Sequence, residues 1–235
     1  MTSAALVLVL AATPGERMLA DADGLAARAR AAPEEKKEKL VEEALRAYAA
    51  VLEAYPKDRE LVPRVRRRRA ALLQHAGRLL DALGEHDAIL AGRARRKDKA
   101  RALFDGAVLL ERGGDLHAAE RRFLRAIEEF KDVDSVRGKA MLARAALLHK
   151  SGRTKAAVKA YRQVAHDCRH QEKLAIRAYD ELALIAIGKG DRKGALRWLK
   201  ACTSRYAERA ARGDKFGDYL ARLLGEMKAP ALLGR

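Results

Sequence analysis

The chain has 235 residues, of which 49% are hydrophobic and only 5% aromatic, and it contains five prolines. Alanine, leucine, arginine, lysine and glutamate dominate, and no stretch alternates β-branched and polar residues as a half-buried strand does. The composition therefore predicts helix throughout and excludes a β-rich fold. The net charge is +17, which favours anionic partners such as nucleic acid, acidic lipid surfaces or acidic protein segments. Acidic residues are interleaved with the basic ones, so a solvated, arginine-rich helical surface explains the charge equally well.

The N-terminus carries a short apolar segment. Residues 4–12 are continuously apolar, which is the length of a signal-peptide core and far too short to cross a membrane. No lysine or arginine precedes Arg17, so an apolar segment that packs on the first helices is the alternative. We predict residues 1–15 as a candidate signal peptide or apolar N-terminal segment, with Gly15 or Ala22 marking the cleavage point. The apolar segment favours export to a bacterial periplasm. If the segment is not a signal peptide, we predict a cytoplasmic location.

A glycine, an alanine five residues later and a large apolar residue four further recur along the chain. The three best copies align without gaps, and their glycines are Gly114, Gly152 and Gly190. Self-similarity at a fixed period predicts one helix hairpin per repeat, because a hairpin cannot bury its apolar faces alone and must stack on its neighbours. The repeated alanines are spaced by 38, 37, 38 and 38 residues: Ala44, Ala82, Ala119, Ala157 and Ala195.

Each position of the repeat has a predicted packing role. The glycine ends the first helix in a left-handed conformation that strains any other residue. The alanine lies where paired helices cross closely, and Phe123, Tyr161 or Leu199 fills the space beside it. Asp115 and Asp191 directly follow their glycines and are suitable N-caps for the second helix.

Two copies depart from this pattern. In residues 57–98, His86 stands where an aromatic residue is expected, and Gly84 and Gly92 predict an interrupted second helix. In the first copy, residues 29–39 predict a longer charged connection in place of a tight turn.

The order of small, apolar, glycine, alanine and aromatic residues resembles the tetratricopeptide repeat (TPR). Ala44, Tyr48 and Pro56 match the end of its second helix. The repeat of about 38 residues exceeds the usual length of about 34 and is similar to bacterial envelope TPR proteins such as the Tol–Pal-associated coordinator. The resemblance covers residues 16–208. It implies an all-α, right-handed TPR-like α-solenoid of about five helix hairpins, with residues 209–235 as a C-terminal capping helix and tail.

The resemblance also implies a function. A TPR-like chain is expected to be a non-catalytic scaffold or adaptor whose first helices line a concave groove. Arg101, Lys139 and Arg177 recur early in successive first helices, so we predict them as contacts for an acidic or extended protein segment. The alternative is that these three residues are solvent-exposed positions that recur only because the repeats arose by duplication. The sequence contains no asparagine, which excludes the asparagine-based clamp that grips chaperone tails. A second ladder lies on the second helices, which face outward: Arg121, Lys159 and Arg197.

The densest basic runs suggest an alternative partner. Residues 63–71 and 92–101 are the most arginine-rich, and the first contains a candidate anion-binding run of four arginines. The alternative function is therefore RNA, DNA or anionic-polymer binding through phosphate contacts. Neither run contains an aromatic residue on which single-stranded bases would stack. The run consists of Arg66, Arg67, Arg68 and Arg69.

Nothing in the sequence supports catalysis or a cofactor. The Gly-Lys pairs lack the upstream glycine and following hydroxyl residue of a phosphate-binding loop. His166 and His170 would share a face at helical spacing and could hold a metal, although a polar helix end explains them as well. Cys168 and Cys202 are predicted as buried thiols. We predict no enzyme, no cofactor and no metal site; the oligomeric state stays open.

Overall fold

The computed structural model describes residues 13–206, and the regular structure in that range is entirely α-helical. Ten helices form five successive hairpins there, which confirms the predicted all-α helical-repeat fold. The predicted capping helix in residues 209–235 and residues 1–12 lie outside the described residues. The helices are α1 (Pro14–Ala31), α2 (Glu34–Ala54), α3 (Leu61–His75), α4 (Leu79–Ala91), α5 (Arg96–Arg112), α6 (Leu116–Glu129), α7 (Asp134–Lys150), α8 (Thr154–Asp167), α9 (Glu172–Gly188) and α10 (Arg192–Arg205).

The described residues divide into two compact units, 13–136 (unit 1) and 137–206 (unit 2). In unit 1, α1 packs on α2 and α3, α2 on α3, α3 on α4, α4 on α5 and α5 on α6. In unit 2, α9 packs on α8 and α10. Each packed pair joins elements that are adjacent or nearly adjacent in the sequence, as a repeat architecture requires.

Four of the hairpins turn at a glycine in the left-handed region. Any other residue there is strained, because its Cβ crowds the backbone. After two of these glycines an aspartate caps the next helix: Asp115 accepts a hydrogen bond from the Ala118 N–H at 2.9 Å, and Asp191 from the Gly194 N–H at 2.8 Å. The chain reversal and the start of the second helix are thus both encoded locally. The glycines are Gly77 (φ 77°), Gly114 (φ 88°), Gly152 (φ 76°) and Gly190 (φ 73°).

The conformational role of the turn glycines can be tested with two matched glycine-to-alanine substitutions in one turn of unit 2. We expect Gly190→Ala to lower the free energy of unfolding by about 1–2 kcal/mol, because φ is positive there. Gly188 is the last residue of α9, and a Cβ added to it would meet no atom of the described residues within 4 Å beyond its own stretch of helix. Gly188→Ala should therefore be neutral or stabilise by up to about 1 kcal/mol. Urea unfolding of both variants measures the difference, and equal effects would contradict this role of the turn.

The repeat alanines lie in the hydrophobic cores of their units. Large side chains beside them are equally buried: Tyr48 and Phe123 are 0% exposed and Tyr161 is 1% exposed. Their complete burial agrees with the predicted packing role of a small side chain beside a large one. The fully buried alanines, each 0% exposed, are Ala44, Ala82, Ala119, Ala157 and Ala195.

The predicted charged connection in residues 29–39 is wrong. Helix α1 ends at Ala31 and α2 begins at Glu34, so only two residues join them. Pro33 is the N-cap of α2, and Glu34 and Glu35 form its acidic first turn, where carboxylates are stabilised by the helix dipole. The charged segment is therefore the beginning of a helix.

The predicted interruption of the second helix at Gly84 is also wrong. Helix α4 continues through Gly84, which is exposed, and ends at Ala91 with Gly92 as its C-cap. An interior glycine costs about 1 kcal/mol relative to alanine. Burial of Ala82 and Ile89 on the same helix offsets that cost.

Both predicted cleavage points lie within α1. Thr13 caps this helix by accepting a hydrogen bond from the Glu16 N–H at 3.3 Å. Gly15 is buried and Ala22 is 0% exposed. A cut at Ala22 would remove the first half of a packed helix, whereas a cut before Thr13 would leave α1 intact. Within residues 13–206, none of the helices has the length and apolarity needed to cross a membrane.

Candidate functional site

The groove contact predicted in unit 1 is Arg101, on the first helix α5. Its side chain is 59% exposed, and its Nε lies 3.9 Å from Oδ2 of Asp105, one turn further along α5. An exposed pair at this distance contributes little energy. Val108 and Arg112 continue the same helix face, because residues at these spacings lie in one row. The α5 face thus presents charge at both ends and an apolar residue between them.

This α5 face forms one wall of a pocket of about 310 Å³ within unit 1. Residues of the neighbouring first helix α3 form another wall, and His86 of the second helix α4 also lines the pocket. It is lined by Arg67, Ala71 and Gln74 of α3, His86 of α4, and Phe104, Asp105, Val108, Leu109 and Arg112 of α5.

His86 brings an unusual side chain to this position of the repeat. It is 5% exposed, and its Nδ1 has no hydrogen-bond partner within the described part of the chain. Burial lowers the pKa of His86 to about 4, and the positive charges of Arg122 and Arg67 lower it further, while Asp87 opposes them. The imidazole is therefore neutral at pH 7. From the sequence, only its replacement of an aromatic residue was evident.

Two arginines border the pocket and differ in their pairing. Arg67 donates from Nη1 to Oδ1 of Asp98 on α5, an ion pair that joins the two walls. Arg112 is exposed, in the last turn of α5, and forms no ion pair with any residue that the structure describes. Sequence reasoning missed Arg112 because it belongs to neither basic run. Its only sequence signal is its place on the same helix face as Arg101.

The four arginines predicted as an anion-binding run all meet carboxylates inside unit 1. These contacts tie α3 to α1, α4 and α5, so the run stabilises helix packing and its charge is largely neutralised within the fold. Their partners are distant in sequence and were not predictable from the run itself. The pairs are Arg66–Glu85 (3.0 Å), Arg69–Glu85 (3.4 Å), Arg68–Asp23 (3.7 Å) and Arg67–Asp98.

In unit 2, Lys139 lies on α7 and Arg177 on α9, and both side chains are exposed. Helix α9 also exposes two large apolar side chains, Leu184 (47%) and Ile187 (45%). Leu184 lies two turns beyond Arg177 on the same helix face. The second ladder is likewise exposed, on α6, α8 and α10: Arg121, Lys159 and Arg197.

The histidine cluster of unit 2 does not share one helix face. Helix α8 ends at Asp167, so His166 lies in the helix and His170 in the following turn. His166 Nδ1 lies 2.9 Å from Oδ1 of Asp167. Across residues 13–206, no group of three or more histidine, cysteine or acidic side chains is placed to hold a metal ion.

Both cysteines are buried thiols and neither forms a disulfide, as predicted. Burial raises the pKa of the Cys202 thiol to about 12, and the nearby charge of Asp180 raises it further. A thiol in this state is a small apolar side chain with little nucleophilic character. Cys202 therefore belongs to the packing of α10.

No protein-family model matches the sequence, and none of the curated proteins does. Solved structures are nevertheless similar. MamA aligns over 83% of this chain and 96% of its own, with a TM-score of 0.55 and 19% identity. BtubC (BKLC) from P. vanneervenii aligns over 84% of this chain and 93% of its own, with a TM-score of 0.57 and 15% identity.

A third similar structure contains the nearly identical TPR-like repeats of a Podosopora anserina protein described as a kinesin light chain. It aligns over 81% of this chain and 96% of its own, with a TM-score of 0.54 and 17% identity. At these identities the similarity is one of fold. The chain has the TPR-like helical-repeat fold. In such a fold Arg101 lies on a first helix, and the pocket is lined by the first helices α3 and α5 together with His86 of the second helix α4.

Proposed function

We propose that this TPR-like chain is a non-catalytic scaffold whose first-helix faces bind an acidic, extended segment of a partner protein. The observation that carries the proposal is the face of α5 in unit 1, where the exposed Arg112 lines an open pocket and the exposed Arg101 lies one turn from the pocket residue Asp105. Helix α9 in unit 2 supports it, because Arg177 and Leu184 there offer charge and apolar surface on one face. Repeated positive charge steers an acidic segment, and apolar contacts hold it.

The paired arginines argue against phosphate binding as the main role. A nucleic-acid site needs guanidinium groups that are free to neutralise phosphates. Arg66 and Arg69 instead share Glu85, whose side chain is only 11% exposed. If these two arginines bound phosphate groups, they would have to release Glu85, and the contacts that hold α3 against α4 would be lost. Nucleic-acid binding therefore enters the test as a rival outcome.

The proposal can be tested by fluorescence anisotropy with a labelled peptide of alternating glutamate and alanine. We expect Arg101→Glu and Arg177→Glu each to weaken peptide binding roughly two- to fivefold, as expected for single exposed charges. The matched controls are Arg121→Glu and Arg197→Glu, which change the net charge equally but lie on second helices. The controls should bind the peptide as the unmodified protein does, and added salt should weaken all binding.

Two results would contradict the proposal. Equal weakening by both ladders would show that only net charge attracts the peptide. Tighter binding of a labelled single-stranded RNA, lost when Arg66 and Arg69 are replaced by glutamine, would favour the nucleic-acid alternative. Circular dichroism of each variant confirms that the helices remain folded.

The N-terminal segment and the length of the repeat bear on where the protein acts. We propose export to a bacterial periplasm and kinship with envelope TPR proteins, supported by the apolar residues 4–12 and the repeat of about 38 residues. N-terminal sequencing of the native protein tests export. A mature N-terminus close to Thr13 would agree with it, and an intact Met1 would contradict it.

A further inference from the structure

The pocket of unit 1 has the shape and lining of a side-chain binding site. At about 310 Å³ it is large enough for one extended side chain together with part of its backbone. Ala71, Phe104 and Val108 provide apolar walls, and Gln74 and Arg112 provide polar groups. Such a mixture suits a ligand with an apolar stem and a polar end.

The charges around the pocket favour an anionic end. Arg67 is paired with Asp98, and Asp105, which also lines the pocket, has its carboxylate 3.9 Å from the exposed Arg101. Arg112 is left without an ion pair within residues 13–206, at the rim of the pocket. An unpaired guanidinium binds a carboxylate through two parallel hydrogen bonds.

His86 adds hydrogen-bonding capacity that the fold does not use. Its ring lines the pocket; Nδ1 is fully buried and has no partner among the described residues, so Nε2 is the ring nitrogen that a ligand in the pocket can reach. Buried polar atoms in folded proteins are almost always hydrogen-bonded. A neutral imidazole has one N–H donor, and when this proton is on Nε2 a ligand oxygen can accept a hydrogen bond from it.

The histidine is also specific to this copy of the repeat. Packing alone favours a large apolar side chain there, and a polar replacement without a partner is the kind of local exception expected at a functional site. The corresponding residues of the other copies are Tyr48, Phe123, Tyr161 and Leu199.

We infer that this pocket binds the carboxylate of an acidic side chain of the partner segment, held by Arg112, Gln74 and His86. The stem of that side chain lies against Phe104 and Val108. The inference rests on the proposed function and adds to it the place where one acidic residue of the partner is recognised.

The experiment follows the imidazole signals of the full chain by NMR at pH 7, with the His86→Phe variant identifying those of His86. The probe is N-acetylglutamate amide, which carries one carboxylate and no other charge. We expect the His86 signals to shift and saturate with the probe, and the apparent affinity to fall about tenfold in Arg112→Gln, because a charge-assisted hydrogen bond is lost. The matched control, Arg121→Gln, removes an exposed cation of α6 and should leave the titration unchanged.

Several outcomes would overturn the inference. These are no saturable shift of the His86 signals, an equal shift by the neutral N-acetylglutamine amide, or an unchanged affinity in Arg112→Gln.

The test of the pocket and the test of the proposed function can fail independently. If the peptide distinguishes Arg101→Glu from Arg121→Glu but the His86 signals are silent, the pocket assignment is wrong and the scaffold function stands. If the His86 signals respond while the peptide fails to distinguish the ladders, the proposed function is wrong and the pocket stands.

Discussion

Replacing Phe123 with alanine is expected to lower the free energy of unfolding by about 3–5 kcal/mol. Phe123 is 0% exposed on α6, and its ring centroid lies 5.9 Å from that of Phe104 on α5. Removing the ring leaves a cavity between two helices of one hairpin, and the fully buried Ala119 beside it is too small to fill the space. Chemical unfolding followed by circular dichroism measures the loss.

The matched control is Leu80→Ala, also in unit 1. Leu80 is 82% exposed, so its replacement should change the free energy of unfolding by less than about 0.5 kcal/mol. Comparable losses in the two variants would show that Phe123 does not lie in a packed core. The repeat interpretation of the fold would then be wrong.

The second large effect is a loss of stability in acid caused by His86. Its pKa is about 4 in the fold, compared with about 6.5 when exposed. The unfolded chain therefore binds a proton between these pH values that the folded chain does not, so stability falls as pH decreases from about 6.5 to about 4. The pKa difference between the folded and unfolded chain corresponds to about 3 kcal/mol of stability. This stability is present above about pH 6.5 and is lost as the pH falls towards 4.

The control for this prediction is His86→Phe, which places the aromatic residue of the other repeats at this position. Carboxylates also titrate in the acid range, so the measured quantity is the difference in unfolding free energy between the two proteins at pH 7 and at pH 4.5. We expect the variant to gain about 2–3 kcal/mol relative to the unmodified protein between these conditions. A pH-independent difference would show that His86 is not buried as a neutral ring.

The periodic part of the fold was predictable because its signals are local. Gly114 needs a left-handed conformation whatever its distant neighbours are, and Asp115 caps the helix that begins one residue later. Two local predictions were wrong for a physical reason. Pro33 begins a helix as readily as it marks a connection, and the exposed Gly84 is tolerated because the rest of α4 is packed.

The candidate site was predictable only in part. The spacing of Arg101 from Lys139 and Arg177 indicated the first-helix faces, and all three side chains are exposed there. Arg112 and Gln74 carried no motif, since neither belongs to a basic run or to the repeat pattern. Both line the pocket between α3 and α5, which the sequence does not reveal.

The number of hairpins, the turns between them and the small buried residue of each repeat could be derived from the amino-acid sequence, because they follow from short-range conformational preferences repeated at a fixed interval. The pairing of the arginine run with Asp23, Glu85 and Asp98, and the pocket that His86 shares with Gln74 and Arg112, became visible only in the packed helices. These contacts join different helices, and their geometry depends on how the helices pack.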